Sequence, residues 1–407
     1  MLRSMFAGVA GLKAHQTKMD VVGNNIANVN TVGFKSSQTV FEDTLSQVLR
    51  NGSAPNGGTA GTNPAQVGLG VKVAGITTNF GQGSQQNTGR ASDFMIGGDG
   101  FFVTKVGNEN LYTRAGSFDF DGVGNLVTPG GGKLQGWMVD ANGGIDTNGP
   151  IEDLKIQFGQ VLPPEATTGS SVVGNLSAEA AVGDAIQTQA EMYDALGNPH
   201  QVDYTFTKTA AGWDLTVADG GNTLLTTQLT FGTTGATTGR LTSTSPQPLI
   251  TAGLGSWPGP VQLDLSGVTQ FGGKTTAAAV DTDQSGSALG TLESYSLSGD
   301  GTIMGLYSNG LRQPLGQLAL ANFTNPGGLE KAGSSSYRAA DNSGNAVIGV
   351  PGAGGRGTLT AGALEMSNVD LAEEFTGLII AQRGFQANSK VITASDELLS
   401  DLVNLKR

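Results

Sequence analysis

Histidine and cysteine, the residue types on which metal and nucleophilic sites most often depend, are nearly absent from this 407-residue chain. The sequence holds two histidines, His15 and His200, and no cysteine. A structural zinc site needs about four such ligands, and a Ser/His/Asp triad needs a histidine held by an acid. His15 lies in an amphipathic N-terminal segment and His200 follows a Gly-Asn-Pro turn. Neither context indicates a zinc or catalytic centre.

Two acidic segments begin like calcium-binding loops and then depart from the pattern. In the segment from Asp281 to Gly286 the first ligand types are present, but Leu292 stands where the bidentate glutamate belongs, and the acid follows one position later at Glu293. Asp119-Phe-Asp121 fails similarly, because Val123 occupies the next ligand position. A calcium loop without these ligands loses much of its affinity. We therefore expect no metal site.

The segment from Gly352 to Gly357 matches the spacing of a dinucleotide-binding fingerprint. It follows Pro351, and no helical pattern starts directly after it, so the strand and helix that this motif requires are missing. We interpret it as a flexible turn. No spacing selects a glycosidase pair from the scattered acids. The sequence therefore predicts no enzymatic activity and no cofactor.

The strongest pattern in the chain is an apolar heptad repeat in its C-terminal segment. Its members are Leu371, Leu378, Phe385, Ile392 and Leu399, with Phe375 beside them. An apolar period of 3.5 residues is typical of a helix that lies along another helix. Ser367 or Asn368 can cap the first free amides, and Lys406 and Arg407 suit the negative end of the helix dipole. We predict a long terminal helix that needs a partner.

The N-terminal segment carries a matching repeat. Its apolar members are Leu2, Met5, Val9, Leu12, Met19 and Ile26, with Gln16 and Gly23 at the remaining heptad positions. The segment is basic where the C-terminal helix is acidic, so the charges are complementary. We expect the two termini to pair as an α-helical stem, which would still expose apolar surface that further copies of the chain cover. A core helix pair within a monomer remains the open alternative.

The rest of the chain has the composition of β-rich domains with many turns. Glycine makes up 64 of 407 residues, and short segments alternate apolar and polar side chains. The net charge of −12 argues against nucleic acid and anionic membranes as partners. No apolar run approaches the ~18 residues of a membrane span. The run from Met5 to Leu12 resembles a short signal peptide, but its heptads continue to Ile26, which favours a retained helix.

These patterns predict a mainly β fold with long terminal α-helices, paired as a coiled-coil-like stem with nested β-rich domains between them. We assign 1–28 and 368–407 to the stem, and 29–70 and 351–367 to a linker or extended arm. Residues 71–149 and 285–350 would form a discontinuous inner β domain. Residues 150–284 would form an inserted outer β domain.

Several motifs resemble those of the bacterial flagellar rod and hook protein family. The segment from Asn24 to Lys35 resembles the N-terminal signature of that family, and the segments 367–371 and 381–388 resemble the C-terminal one. Phe385 stands where the family usually has tyrosine, and the segments 98–102 and 112–118 match the shared β domain. The matching signature residues are Asn24, Asn25, Ala27, Asn28, Asn30, Thr31, Gly33, Phe34, Ser367, Asn368, Val369, Asp370, Gln382, Arg383, Gln386, Ala387 and Asn388.

Within this family the middle of the chain is most similar to the hook members. The segments 174–207, 307–310 and 322–329 resemble their inserted domain and its surroundings. The resemblance implies a homopolymer, a curved helical tube outside the cell that acts as a universal joint and transmits torque from rod to filament. It implies export through the flagellar type III apparatus without a cleaved signal peptide. It also implies contacts with the distal rod protein, the hook cap and the hook–filament junction proteins.

Two alternatives remain open at this stage. A distal rod protein, a straight shaft with similar ends, would not need the long inserted region 150–284. A secreted glycan-binding or hydrolytic β protein would need neither the terminal heptads nor the family signatures. The sequence favours the hook-like interpretation over both.

Overall fold

The computed structural model describes residues 2–54, 60–140, 143–242, 248–250, 260–273 and 280–404. The chain forms two compact units. Unit 1 comprises residues 1–157, 295–304 and 313–407, and unit 2 comprises residues 158–294 and 305–312. The predicted fold class, mainly β with long terminal helices, is confirmed. The predicted cations Lys406 and Arg407 lie outside the described residues.

Two long helices begin and end unit 1. Helix α1 spans Leu2–Ala27 and helix α2 spans Leu371–Asn404. Gly8 lies beside Ile392, and Val22 lies beside Gly377, so the partner number falls as the α1 number rises. The helices therefore pack antiparallel, and the predicted pairing of the two termini is confirmed.

Small residues line much of the seam between the helices, and Ile392 is the predicted heptad member that lies opposite one of them, Gly8. Ala14 and Ala381 are buried there. A Cβ added at Gly11 would lie 2.7 Å from the side chain of Asn388, and one added at Gly384 would lie 2.5 Å from the ring of His15. Small side chains let two helix backbones approach closely. The other predicted heptad side chains that the structure describes are half-buried or exposed.

Most of the region predicted as an arm, together with residues 71–78 that were predicted in the inner β domain, forms a two-stranded antiparallel ribbon. Strands β1 (Ser37–Asp43) and β4 (Val71–Thr78) pair with each other, and β2 (Ser46–Arg50) pairs with β3 (Ala65–Gly68). Phe41 of β1 contacts His15 edge to face, with ring centroids 5.7 Å apart. The ribbon thus packs against helix α1. The glycine-rich composition predicted a linker here. The ribbon was not expected, because composition does not reveal which strands pair.

Unit 1 also contains a β domain built from segments far apart in sequence. Its sheet has the order β24-β11-β7-β8-β27-β26, with antiparallel neighbours throughout. Phe101, Tyr112, Phe323 and Tyr337 form its aromatic core. The strands with residues in unit 1 are β5 (Gln85–Asn87), β6 (Phe94–Gly97), β7 (Phe101–Val106), β8 (Glu109–Thr113), β9 (Asp119–Phe120), β10 (Leu126–Val127), β11 (Lys133–Met138), β12 (Glu152–Asp153), β22 (Gly290–Leu297), β23 (Thr302–Tyr307), β24 (Arg312–Leu318), β25 (Leu320–Asn322), β26 (Glu330–Gly333), β27 (Ser336–Arg338), β28 (Val347–Gly349), β29 (Thr358–Ala361) and β30 (Ala363–Glu365).

Unit 2 contains two four-stranded sheets around one core. The remaining strands are β13 (Val161–Leu162), β14 (Gly169–Asn175), β15 (Ala185–Tyr193), β16 (Pro199–Thr209), β17 (Gly212–Asp219), β18 (Asn222–Leu229), β19 (Leu249–Ile250), β20 (Val261–Thr269) and β21 (Val280–Gln284). The sheet orders are β15-β16-β17-β18 and β19-β20-β14-β21. Trp213, Tyr204 and Leu263 are fully buried in the core. Because alternate side chains of each strand enter this core, the predicted period-two pattern in β16, β17 and β20 matches the observed strands.

Three predicted segments differ from the structure in their boundaries or in their secondary structure. The inserted domain was expected at 150–284, but 150–157 stay in unit 1, where Leu154 and Ile156 are buried. The segment 351–367, predicted as part of the arm, contains β29 and β30, which pair with β6 and β5. The calcium-like segment from Asp281 enters β21, and the segment 352–357 is a turn that leads into a strand.

The seam makes a testable prediction about the two helical glycines Gly384 and Gly23. Alanine has a helix propensity better than glycine by ~1 kcal/mol. Gly23 has open space around its Cβ position, so Gly23→Ala should stabilise helix α1. Gly384→Ala should destabilise the pair, because its methyl group would meet the ring of His15. Thermal unfolding of the full chain, followed by circular dichroism at 222 nm, measures both. Equal stabilisation by both substitutions would contradict the close seam.

Candidate functional site: the junction of the two chain ends

A buried ion pair joins the N-terminal and C-terminal segments of the chain. The Lys35 ammonium lies 2.7 Å from Oε1 of Glu365, and both side chains have an exposed fraction of 0%. The same ammonium donates a hydrogen bond to the carbonyl oxygen of Gly81, at 2.8 Å. Burial lowers the pKa of Lys35, against the opposing effect of Glu365. Residues 330 positions apart in sequence are therefore held in direct contact.

Arg114 brings the β domain into the same cluster. Its Nη1 lies 3.5 Å from Oε2 of Glu365 and donates a hydrogen bond to the carbonyl oxygen of Gly98. The guanidinium stacks near the ring of Phe101, 5.3 Å from the centroid. The backbone N–H of Gly83 donates a further hydrogen bond to Glu365 Oε1. We call Lys35, Arg114 and Glu365 the junction cluster.

Two signature asparagines complete the junction. Asn25 in α1 donates from Nδ2 to the carbonyl oxygen of Ser37 and to Oε1 of Glu374, at 2.8 and 2.7 Å. Its Oδ1 accepts from the Ser37 N–H. Asn368 accepts from the Ser36 N–H and donates to the carbonyl oxygen of Asn79. Each amide therefore satisfies backbone groups of the ribbon that starts at Ser37, and Asn25 also binds helix α2.

Gly33 allows the chain to turn into the junction. Its φ is +67°, a left-handed conformation that glycine adopts without a steric penalty. A Cβ at this position would lie 2.4 Å from the backbone nitrogen of Ala115. The Gly33 N–H donates to the carbonyl oxygen of Glu365. Any other residue type would be strained at this φ, and its Cβ would clash with the backbone of Ala115.

The N-cap of α2 differs from the predicted one. Asp370, rather than Ser367 or Asn368, accepts hydrogen bonds from the N–H groups of Ala372 and Glu373 at its Oδ1. Asn368 points instead to the ribbon, as described above. The helix therefore begins at Leu371 and not at 368. The prediction of Ser367 or Asn368 as the cap was wrong, because Asn368 is engaged by tertiary contacts that its position in the sequence does not reveal.

The predicted stem residues occupy the flanks of the helix pair. The half-buried members are Met5, Leu12, Met19, Ile26, Leu378, Phe385, Ile392 and Leu399, and the exposed members are Val9, Leu371 and Phe375. The side chain of Leu2 lies outside the described set. Of these, Ile392 reaches the seam, where it lies beside Gly8. Their role in a polymer interface remains a prediction.

The other signature residues either shape the helix ends or face solvent. Asn28 donates to the carbonyl oxygen of Asn24, and its own Oδ1 accepts from Thr31. Phe34 lies under the ammonium of Lys331. Asn388 lies in the seam, as described above. The exposed signature residues are Asn24, Ala27, Asn30, Asp370, Gln382, Arg383, Gln386 and Ala387, and Ser367 and Val369 are half-buried.

Sequence reasoning named none of the three members of the junction cluster as a site residue. Arg114 lay inside a motif that matched the β domain, and Lys35 ended the N-terminal signature, but neither spacing revealed a shared partner. Glu365 carried no sequence signal. Within the described residues, no group of three or more His, Asp or Glu side chains is placed to hold a metal ion. Over the same residues, neither helix is both long enough and apolar enough to cross a membrane.

Four family profiles match successive parts of the chain. The profile described as flagella basal body rod protein matches residues 5–35, and the flagellar hook protein FlgE/F/G D1 domain matches 95–173. The flagellar basal body protein FlaE D2 domain matches 175–284. The flagellar basal body rod FlgEFG protein C-terminal profile matches 360–405. The first and last profiles contain the residues that form the helix pair and, at Lys35 and Glu365, the junction.

Full-length relatives agree with the profiles. The chain is 40% identical over 451 residues to flagellar hook protein FlgE of Borreliella burgdorferi, covering 100% of both chains. It is 33% identical over 408 residues to flagellar basal-body rod protein FlgG of Bacillus subtilis, again over 100% of both. The crystal structure of Helicobacter pylori flagellar hook protein FlgE2 is similar in fold, with a TM-score of 0.50 and 13% identity. That match covers 67% of this chain and 98% of the other.

The junction cluster predicts a large loss of stability for Lys35→Met. The substitution leaves the buried Glu365 carboxylate without its nearest cation, which costs ~3–5 kcal/mol for buried pairs. The double variant Lys35→Met/Glu365→Gln should lose less than the sum of the single losses, because the residues are in contact. Equilibrium urea unfolding of the full chain measures these free energies.

Lys72→Met is the matched control for this prediction. Lys72 pairs with Glu42 at 2.6 Å, but both side chains are exposed. Exposed ion pairs contribute little to stability, so no measurable change is expected. Similar losses for Lys35→Met and Lys72→Met would show that burial of the cluster does not matter.

His15 predicts a loss of helix-pair stability in mild acid. Burial, and then the nearby charge of Lys18, lowers the pKa of His15. The unfolded chain, with a histidine pKa of about 6.5, therefore binds the proton first. The stability present above that pH is lost as the pH falls through the folded pKa. Glu374 acts oppositely, since burial raises its pKa.

His15→Gln isolates this effect. The variant should lose the part of the acid-induced decrease in melting temperature that titrates below about pH 6.5. The wild-type chain, melted under the same conditions, is the reference for this comparison. Melting of the 222 nm signal between neutral pH and mild acid measures both. The same decrease in wild type and His15→Gln would refute the role of His15.

Proposed function

This chain belongs to the flagellar hook protein family, and we propose that, as a structural subunit of the bacterial flagellar hook, it assembles into a curved helical tube of identical copies. The paired terminal helices form the packed layer of that tube. The tube acts as a universal joint that transmits torque from rod to filament. In this role the protein is a structural component and not an enzyme.

The observation that carries this proposal is the apolar surface left on the helix pair. Phe6 is 65% exposed, and Phe375 is 51% exposed. Ile379 and Ile380 are also exposed. Exposed apolar side chains concentrated on one structural element are typical of a protein–protein interface. The stem residues predicted from the heptads lie beside this surface, which supports their assignment to contacts between copies.

A universal joint must bend without unwinding, and the two units suggest how this is achieved. Packed interiors are stiff, so changes in length around a curved tube come from sliding between neighbouring copies. Unit 2 has a core of its own and an acidic sequence rich in Thr and Gly, which suits weak contacts that are remade at each rotation. We assign the selection of curvature to unit 2 and the continuity of the tube to the helices.

The location and partners follow from the same proposal. The hook lies outside the cell as part of the flagellum, and its subunits pass through the flagellar type III export apparatus. Helix α1 packs along α2, which supports retention of this segment rather than its removal as a signal peptide. In the assembled flagellum the polymer contacts the distal rod protein, the hook cap and the hook–filament junction proteins.

A distal rod protein is the second candidate. The full-length similarity to a relative named as a rod protein favours it, although the identity of 33% is lower than the 40% to the hook relative. A rod subunit would form straight tubes. Both a rod protein and a hook protein would form tubes. The shape of the tube, straight or curved, therefore distinguishes the two candidates.

Electron microscopy of the purified full chain after salting out tests the proposal. Curved or supercoiled tubes are expected. Straight tubes would favour the rod protein, and the absence of any polymer over a range of salt and protein concentrations would refute assembly by this chain alone. The variant Leu378→Asp should abolish the tubes, because it places an unpaired carboxylate against the packed helical layer.

A further inference from the structure

An open groove crosses the outward face of one sheet in unit 2. Strands β20, β14 and β21 line it, and its volume is about 580 Å³. Its described lining consists of serine, glutamine and glycine residues with a single acid. We call this feature the polar groove and define it by Gly169, Ser171, Gln262, Asp264, Ser266 and Ser285.

The polar groove exists because an interior strand of the sheet presents small residues on this face. On β14 these residues are Gly169 and Ser171, and the exposed Gln262 and Asp264 of β20 lie opposite them. The longer side chains of β20 therefore flank a floor that has almost no side chains. A β-bulge after Ser171 shifts the register of the two strands. Bulges re-aim neighbouring side chains and are common beside functional sites.

The lining offers hydrogen-bond donors and acceptors together with one ionised acceptor. The hydroxyl groups of Ser171 and Ser266 can donate and accept, and the amide of Gln262 carries both kinds of group. The N–H of Ser266 donates to Oδ1 of Asp264 at 2.9 Å, and this hydrogen bond lowers the pKa of Asp264. The carboxylate therefore stays ionised in neutral solution and acts as an acceptor.

The same lining excludes several classes of ligand. No lysine or arginine occurs among its described residues, so Asp264 would repel phosphates and acidic glycans without compensation. One carboxylate provides too few oxygens for a calcium ion, which takes about six to eight. The polar floor also differs from the apolar pockets that bind drug-like molecules. A neutral ligand rich in hydroxyl groups meets all of these restrictions.

Exposed aliphatic side chains lie at two ends of the polar groove. Leu249 of β19 is 45% exposed and is paired with Gln262. Val173 is 48% exposed and follows Ser171 on the same face of β14. Paired residues of neighbouring strands share one face of the sheet. A sugar ring has hydroxyl groups around its edge and C–H groups on its faces, so it can contact the polar floor and these aliphatic side chains together.

We propose that the polar groove is a binding site for neutral oligosaccharides. Its volume lies within the range of about 300–1,000 Å³ that is usual for small-ligand sites. Its open form suits several linked sugar rings that lie along the sheet better than one enclosed ring. A shallow polar site gives weak binding, with a Kd on the order of 1 mM. The site belongs to unit 2, so this binding is a function beyond the proposed structural role and does not require assembly.

Saturation-transfer NMR with the unassembled full chain tests the proposal. The probes are cellotetraose, maltotetraose and mannotetraose, and the acidic tetragalacturonate is the comparison ligand of similar size. At least one neutral probe should bind with a Kd on the order of 1 mM, and tetragalacturonate should bind at least about tenfold more weakly. The absence of binding by all three neutral probes at about 10 mM would overturn the proposal.

Two substitutions locate the binding site. A Cβ added at Gly169 would have its nearest neighbour 3.9 Å away, so Gly169→Val fits the strand and fills the floor of the groove. Asp264→Asn removes the ionised acceptor but keeps an oxygen for the Ser266 N–H. Each variant should bind the best probe about tenfold more weakly. Asp214→Asn, on the other sheet of unit 2, is the matched control and should stay within about twofold of wild type.

The remaining outcomes separate this inference from its alternatives and from the proposed function. Unchanged binding by Gly169→Val and Asp264→Asn would place the sugar elsewhere and refute the site. Binding of tetralysine in place of the neutral sugars would identify a site for cationic peptides instead. Loss of tubes in Gly169→Val, with no sugar binding by wild type, would show that the groove holds part of a neighbouring copy. Failure of the wild-type chain to form tubes would refute the proposed function alone, because the sugar measurements use unassembled chains.

Discussion

Removing the carboxylate of Glu365 from water is the constraint on which the arrangement of the chain ends depends. A buried carboxylate requires cations and N–H donors around it. Lys35 comes from the segment after α1, Arg114 from the β domain and the Gly83 N–H from the connection between them. These segments can satisfy Glu365 only in one relative position. The cluster therefore selects an arrangement more than it adds to total stability.

The junction lies where α1 ends and α2 starts, and the seam between the helices then decides which of their side chains remain available for other contacts. Gly8, Gly11 and Gly384 bring the helices together closely. Ile392 and Val22 enter the seam opposite Gly8 and Gly377, whereas the other heptad side chains in the described part of the chain stay half-buried or exposed. A single chain consequently completes its helix pair and still exposes apolar surface. The same feature that makes the pair compact therefore makes the chain suited to assembly with other copies.

The family signatures acquire physical meaning from these contacts. Asn25 and Asn368 bind the backbone around the start of the ribbon, and Gly33 occupies a conformation and a space that exclude a side chain. Exposed members such as Gln382 and Arg383 have no comparable role within one chain. The signature thus combines residues that build the junction with residues whose contacts lie outside the chain.

The sequence by itself determined the elements with a strong period. The heptads gave two terminal helices, and alternation gave the strands of β16, β17 and β20, because burial on one face imposes the period of the element. Tertiary structure decided the rest. Both Ser367 and Asn368 are good capping residues, yet Asp370 caps α2 because Asn368 is engaged by the ribbon. No local pattern marks Glu365, and the motif around Arg114 does not reveal its partner, since an ion pair between residues 251 positions apart (114 to 365) exists only after folding. The glycines of the helix seam were likewise not predictable from the sequence. How closely two helices approach depends on the residue that lies opposite each glycine, and not on the hydrophobicity of the glycine itself.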